Sequence, residues 1–297
     1  MSENFNLVIS GSSGYLGGIA AQLCRDLGFG VVLTRGRRWA SGESTLELDV
    51  LSTDLETLAT QIREQDCQAV LHFATDFTRS THVAVVEGVI QANFLFSVKL
   101  AEAARIAGVP HFLNMSSTWE MTRRTLDELS LTLTPYAASK RAFRAYLDER
   151  FGDEGFVKNV FVEETLGPTD YRDKVLPNLV RSAVAGKPFS VRNPNLGLNF
   201  ALAESLASML VERENWPSLP YEVGFVSYKE VTLAHVAELV GTSGLEVPTL
   251  NVHPDPSTLV KSPSILEVGL PVIFDGQAPP LVEIIHKMIA NISNQHE

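Results

Sequence analysis

Two groups of residues have the types and spacing to do chemistry on a small organic molecule. Tyr136-Ala137-Ala138-Ser139-Lys140 sets a phenol and an ammonium one helical turn apart, on the same face. A nearby positive charge favours phenolate, so the Tyr136 pKa is expected to fall toward neutrality, which makes the phenol a usable general acid or base. The same spacing also arises by chance at solvated helix starts. Ser117, just past the apolar run Phe112-Leu113-Asn114-Met115, is placed either to donate a hydrogen bond to a carbonyl oxygen or to cap a turn. A third stretch could bind rather than react. Leu7-Val8-Ile9-Ser10 runs into glycines at 11, 14 and 17, which open a helical pattern. Such a turn brings bare N–H groups and a positive dipole end up to a diphosphate, although it also suits an ordinary strand–helix connection.

These residues need a scaffold, and the hydrophobic periodicity supplies one. Strands are expected at Leu7–Ser10, Gly30–Thr34, Leu46–Val50, Ala69–Phe73, Phe112–Met115 and Asn159–Val162. Between them lie helical patterns after Gly14, ending at Gly28, then over Thr53–Arg63, Val83–Ala107 and from Tyr136 to Phe151. Alternation of this kind implies an α/β fold with parallel strands, right-handed crossovers and helices on both faces. Ligands bind beyond the carboxyl ends of such strands, and Gly11, Arg35, Asp49, Ala74 and Ser117 all fall along that rim. After Gly167-Pro168 the texture becomes irregular, with helical pieces around Leu202–Leu210 and Leu281–Ile292. The expected organisation is a dinucleotide-binding domain over residues 1–166 and a smaller mixed α/β lobe over 167–297. Part of that lobe, about 196–215, is expected to return to the first domain.

Composition excludes several classes. The 297 residues are 45% hydrophobic and 20% charged, which suits a globular chain with a large core. A formal charge of −11 argues against nucleic acid as the main partner. No apolar run is expected to reach the roughly 18 residues that a membrane span needs. Met1-Ser2-Glu3-Asn4-Phe5 has no basic stretch of the secretory kind, and two cysteines without metal-type spacing suit a reducing cytoplasm. His72 and His111 sit at strand positions and are read as packed core residues.

Taken in order, Gly11-x-x-Gly14-x-x-Gly17, Asp49-Val50, Ser116-Ser117 and Tyr136-x-x-x-Lys140 resemble the extended short-chain dehydrogenases/reductases. These are the sugar-nucleotide epimerases, dehydratases and reductases. The resemblance spans nearly the whole chain, with Gly167-Pro168 and a fainter Tyr221-Glu222-Val223-Gly224 included. Phe112-Leu113-Asn114, Glu163 and the segment from Asp170 to Lys174 look most like the 4-ketoreductases that make deoxysugars. The resemblance implies a Rossmann-type doubly wound parallel sheet with a C-terminal substrate-binding lobe. It implies Tyr136 as proton donor, Lys140 on the nicotinamide ribose, and Ser117 on the carbonyl, with Thr118 as the alternative. Gly11, Ser13, Gly14, Tyr15, Leu16 and Gly17 would form the diphosphate loop, and Asp49 with Val50 would flank the adenine. Phe73, Ala74 and Thr75 would line the nicotinamide side, with Asn93 behind the cofactor. Substrate contacts would come from Asp76, Ser117, Thr118, Trp119, Glu163 and Thr165. Relatives often carry an arginine where this chain has Leu198-Asn199-Phe200, so Arg192, or Lys174 and Lys187, would have to replace it.

The second strand decides the cofactor. NAD users tend to place an acidic residue at its end to bond the ribose 2′-OH. Here Thr34 and Arg35 stand there, followed by Arg37 and Arg38, whose guanidiniums suit a 2′-phosphate in charge and geometry. NADP(H) is therefore expected. Dehydratases of the group carry an acidic pair right after the active-site Ser or Thr, whereas Ser117 is followed by Thr118 and Trp119, and only Glu120 is acidic. The expected activity is NADPH-dependent reduction of a carbonyl on a nucleotide-linked 4-keto-6-deoxyhexose, in a cytoplasmic homodimer paired through helices 83–107 and 136–151. The alternatives are an epimerase or dehydratase with tightly bound NAD(P), and a non-catalytic NADP(H) sensor.

Overall fold

The computed structural model describes residues 5–35, 47–78, 80, 82–121, 134–152, 154–191, 193–252 and 264–294. In chain order the elements are β1 (Asn6–Ser10), α1 (Tyr15–Asp26), β2 (Gly30–Thr34), β3 (Glu47–Leu48), α2 (Leu55–Glu64) and β4 (Cys67–His72). There follow α3 (Val83–Ile90), a π-helical turn at Gln91–Leu95, α4 (Phe96–Ala107), β5 (His111–Ser117), a 3-10 turn at Thr118–Met121, α5 (Pro135–Phe151) and β6 (Val157–Val162). The remainder holds β7 (Glu164–Leu166), α6 (Val175–Val184), β8 (Phe189–Val191), β9 (Leu198–Leu202), α7 (Ala203–Val211), β10 (Glu222–Val226), β11 (Tyr228–Val231), α8 (Leu233–Gly241), β12 (Leu250–Val252) and α9 (Leu281–Asn294).

The chain divides into two compact units. The first comprises Met1–Phe161, Ala207–Gly224 and Leu259–Pro271; the second comprises Val162–Leu206, Phe225–Thr258 and Val272–Glu297. The division thus falls slightly before residue 166. The segment that returns begins within α7 and runs through Gly224, rather than spanning 196–215, because β10 has to reach β6 for sheet pairing.

In the first unit the strands run in the order β10-β6-β5-β4-β1-β2-β3. The registered pairs β10–β6, β4–β5, β1–β4, β1–β2 and β2–β3 are all parallel. The order reverses at β1, which is the Rossmann arrangement expected from the alternation. One core cluster joins Val8, Val70 and Phe112 of the sheet to Leu58 and Ile62 of α2, Leu100 and Ala104 of α4, and Phe143 and Leu147 of α5. Local chemistry sets the helix ends. Asp54 caps α2 by accepting from Thr57 N, and Thr134 caps α5 by accepting from Ala137 N, with Pro135 opening the first turn. The edge strand is Glu47–Leu48, shorter than the five residues read from the sequence.

The stretch Val83–Ala107 is continuous helix, interrupted only by the π turn. Contrary to the sequence expectation, it is long and apolar enough by composition to cross a membrane. Glu87, Gln91, Asn93 and Ser97 interrupt the apolar residues, yet the stretch as a whole remains predominantly apolar. Phe96, Leu100, Ala101 and Ala104 are buried, while Val83, Ile90 and Leu95 stay exposed.

The second unit carries two small sheets, β11-β9-β7 and β12-β8. Its core is built from helix faces: Leu176 and Leu179 of α6, Val236 and Val240 of α8, and Ile285 and Met288 of α9.

Candidate active site

The glycine loop begins at the β1–α1 junction. Gly11 has φ +74°, and a Cβ built there would lie 2.6 Å from Ala74 N. At Gly17 a Cβ would lie 2.3 Å from Gly11 O, so α1 can only approach the turn this closely without a side chain. Gly14 precedes α1 with no side-chain cap, and the first turn holds no acidic residue. The helix start therefore keeps open N–H donors and no negative charge, which fits a dinucleotide diphosphate. Ser13 and Gly14 are exposed, Leu16 is half-buried and Tyr15 is buried.

Arg35 extends from the end of β2, its side chain 58% exposed. Its Nη1 is 3.5 Å from Asp49 Oδ2 and its Nε 3.8 Å from Glu47 Oε2. Asp49 also accepts from Ser52 N at 3.1 Å, and Val50 is buried beside it. Arg38 lies outside the described residues.

The β4 end is fixed from below. Ser10 Oγ meets His72 Nδ1 at 2.7 Å and accepts from Ala74 N at 3.2 Å, and Phe73 N bonds Ser10 O. His72 Nε2 meets Ser97 Oγ at 2.9 Å. Burial, and secondarily the Lys140 charge, hold the His72 pKa well below 6.5, so this ring is a neutral core group rather than a catalyst. His111 is only half-buried, its ring against Trp216.

Asn93 sits in the π turn and is fully buried. Its Oδ1 accepts from Asp76 N at 2.6 Å and from Thr75 Oγ1 at 3.3 Å; its Nδ2 donates to Asp76 O at 2.9 Å and to Ser139 Oγ at 3.0 Å. One amide therefore ties the loop after β4 to α5. Ser139 Oγ in turn donates to Tyr136 O at 2.9 Å. A π turn adds one residue to the helix, a device common at functional sites.

Tyr136 and Lys140 lie on the first turns of α5, and Ser117 ends β5. The Tyr136 ring is half-buried and packs edge-on against Phe77, centroids 5.1 Å apart. Lys140 is buried; its Nζ donates to Met115 O at 2.8 Å and lies 3.8 Å from Glu120 Oε1. Burial pulls the Lys140 pKa down, and the Glu120 charge opposes that. Ser117 Oγ accepts from Trp119 N at 3.4 Å, leaving its proton to donate. Thr118, the alternative to Ser117, is completely buried.

The remaining expected substrate residues divide differently. Asp76 is held by its backbone on Asn93. Glu163 and Thr165 belong to the second unit. There the Glu163 carboxylate accepts from Asn199 N and Nδ2, and Thr165 O accepts from Arg172 Nη2. Arg192 lies outside the described residues. Lys174 pairs with Glu164 at 3.7 Å.

Sequence reasoning missed Glu120, Ser139, Phe77 and the Met115 carbonyl. Ser139 had a signal, its place one turn on from Tyr136. Glu120 had a weaker one: a lone acid three residues beyond Ser117.

Residues 7–197 match the model of the NAD dependent epimerase/dehydratase family. No curated protein matches the sequence. Among solved structures, the chain is similar to UDP-glucose 4-epimerase from Thermotoga maritima with UDP-glucose, at 15% identity and TM-score 0.72, covering 99% of this chain and 100% of that one. UDP-glucose 4-epimerase from Thermus thermophilus in complex with NAD gives 19% identity and TM-score 0.71, with 97% and 99% covered. An NAD dependent NDP-hexosamine 5,6-dehydratase of tunicamycin biosynthesis gives 20% and 0.73, with 98% of each chain covered.

Proposed function

The chain belongs to the NAD dependent epimerase/dehydratase family, and on that premise we propose that it reduces a carbonyl of a nucleotide-linked 4-keto-6-deoxyhexose with NADPH. The observation that carries the reaction class is the set of three groups at the ends of β5 and α5. Ser117 ends the strand, Met115 of the same strand holds the Lys140 ammonium, and Tyr136 stands one turn before Lys140. The nicotinamide dinucleotide, when bound, supplies the hydride. Gly11, Gly14 and Gly17 would hold its diphosphate, and Lys140 its nicotinamide ribose. Tyr136 gives its phenolic proton to the oxygen that gains charge, and Ser117 donates a hydrogen bond to the same oxygen. Product is the alcohol, and Tyr136 regains its proton from solvent.

The 2′-phosphate preference rests on Arg35 and Arg38. The contacts of Arg35 to Glu47 and Asp49 are long and on an exposed side chain, worth at most about 1 kcal/mol, so a phosphate dianion can displace them. Those carboxylates also favour a second reading, an epimerase or dehydratase that retains NAD. In that reading an acid bonds the ribose hydroxyls, as befits a chain whose structural neighbours include an NAD complex and an NAD dependent dehydratase. Dehydration is the weaker branch, because Thr118 and Trp119 stand where an acidic pair is needed and Glu120 is buried against Lys140.

Two assays separate these readings. NADPH oxidation on adding a nucleotide 4-keto-6-deoxyhexose supports the reductase; interconversion of UDP-glucose and UDP-galactose without net NADPH use supports the epimerase. In either, Tyr136→Phe should lower turnover about 10²–10⁴-fold while cofactor binding persists; undiminished turnover removes Tyr136 from the mechanism. A two-fold dimer through α3, α4 and α5 belongs to the same proposal. Val83, Ile90 and Leu95 leave an apolar stripe exposed, and light scattering that gives one chain's mass refutes the pairing.

A further inference from the structure

Glu120 is the acid that the mechanism above leaves unused. It sits in the 3-10 turn straight after β5, its side chain 0% exposed. Oε1 accepts from Ser117 N at 3.0 Å, and the residue's own carbonyl accepts from Arg141 Nε at 2.8 Å. Oε2 has no hydrogen-bond partner among the described residues. An apolar side chain would fill this position without the several kcal/mol that burying a carboxylate costs. What only a carboxylate adds is a negative charge facing Lys140.

That charge has one clear recipient. Among the described residues, the charged groups facing Glu120 are Lys140 and Arg144 from α5 and Glu222 from β10; burial raises the Glu120 pKa, and the Lys140 charge is the main opposing influence. Arg144 is already answered: its Nε and Nη2 bond Glu222 at 2.5 and 2.8 Å. Lys140 is faced by Glu120 and by His72 of β4, which is neutral. The Met115 carbonyl orients the ammonium but does not compensate its charge. A lysine this deeply buried, with no anion, would give up its proton.

We propose that Glu120 is a positioning residue for the hydride-transfer reaction, its carboxylate clamped by the Ser117 N–H as the counter-ion that keeps Lys140 an ammonium. The proposal rests on the reading of Tyr136 and Lys140 given above. In that reading only a charged Lys140 grips the ribose and draws the phenol toward ionisation.

Glu120→Gln tests this, because the amide oxygen can still accept from Ser117 N while the charge is gone. Carbon-13 NMR of the lysine ε-carbons in the full chain, with Lys140 assigned by its loss in Lys140→Met, reads the charge directly. The Lys140 midpoint should fall by about one unit or more in Glu120→Gln and return in part in Glu120→Asp. A midpoint that does not move overturns the proposal. Should the variants not fold, the unaltered chain still decides: two charges this close titrate as a pair, so the Lys140 signal should show a separate inflection as Glu120 takes up its proton. A signal without that inflection across the folded range overturns the proposal equally. With substrate, the sign is fixed. A neutral Lys140 raises the Tyr136 pKa, so the alkaline limb of reduction should move to higher pH and the KM for the dinucleotide should rise. A purely structural Glu120 would lower kcat with the limb in place. The NMR readout needs no substrate, so an unmoved Lys140 sinks the counter-ion and spares the reaction, while active Tyr136→Phe does the reverse.

Discussion

Among the described residues, Asp170 of the second unit and Glu120 of the first have carboxylates wholly closed off from solvent, and the two are treated very differently. In the second unit Asp170 has a side chain 0% exposed, and a single neighbour saturates it. Arg172 donates its backbone N at 3.1 Å, Nε at 2.7 Å and Nη2 at 2.6 Å. In the first unit Glu120 receives one N–H, keeps an unpartnered oxygen, and faces its cation across 3.8 Å. A saturated buried acid clips a loop and has nothing left to give. An under-bonded one beside a buried ammonium is held at a cost, and that cost is reasonable only where charge is used. The same contrast runs through the interiors. Ser10, His72, Asn93 and Ser139 are buried in hydrogen-bonded contact in the first unit. The second unit's core is mainly aliphatic faces of α6, α8 and α9.

The contrast can be broken in three places. The largest effect should come from Arg172→Met, which strands Asp170; about 3–5 kcal/mol of stability should be lost in urea unfolding. A loss near zero would mean that Asp170 is not held as the geometry suggests. Next is the neutral imidazole of His72. Its pKa is depressed in the folded state, so its stabilisation is complete above 6.5 and drains as pH falls below that value. Between pH 7.5 and 5.5 His72 should account for about 1 kcal/mol of lost stability, and His72→Gln should flatten that slope. An unchanged slope would assign the acid sensitivity elsewhere, His111 being the first place to look. Smallest is Glu120→Gln, expected to cost less than Arg172→Met, because Lys140 can shed its proton once its counter-ion is gone and the desolvation cost of the carboxylate goes with it. A large loss would make Glu120 a clip like Asp170.

Much of this was legible from sequence because it is local. The glycine spacing, the strand–helix alternation and the Tyr136–Lys140 turn each need only neighbouring residues, and α5 begins one residue from its expected start. The π turn around Asn93 was not legible, since apolar spacing in α3 and α4 reads as one helix whichever register joins them. Glu120 was read only as an isolated acid. Its burial depends on α5, whose Lys140 and Arg141 come twenty residues later, settling over the turn. The pairing of β8 with β12 joins segments about sixty residues apart, and three-residue strands carry almost no periodic signal.

The π turn at Gln91–Leu95 also makes the chain's length there part of its information. Winding the same residues as uniform α-helix would swing everything from Phe96 to Ala107 by about 100° relative to Val83–Ile90, because the π turn is what absorbs the extra residue. Leu100 and Ala104 would leave the core, and Asn93 would let go of either Asp76 or Ser139. A wholly α-helical segment of the same length could therefore not be exchanged across this point, even with every side chain preserved.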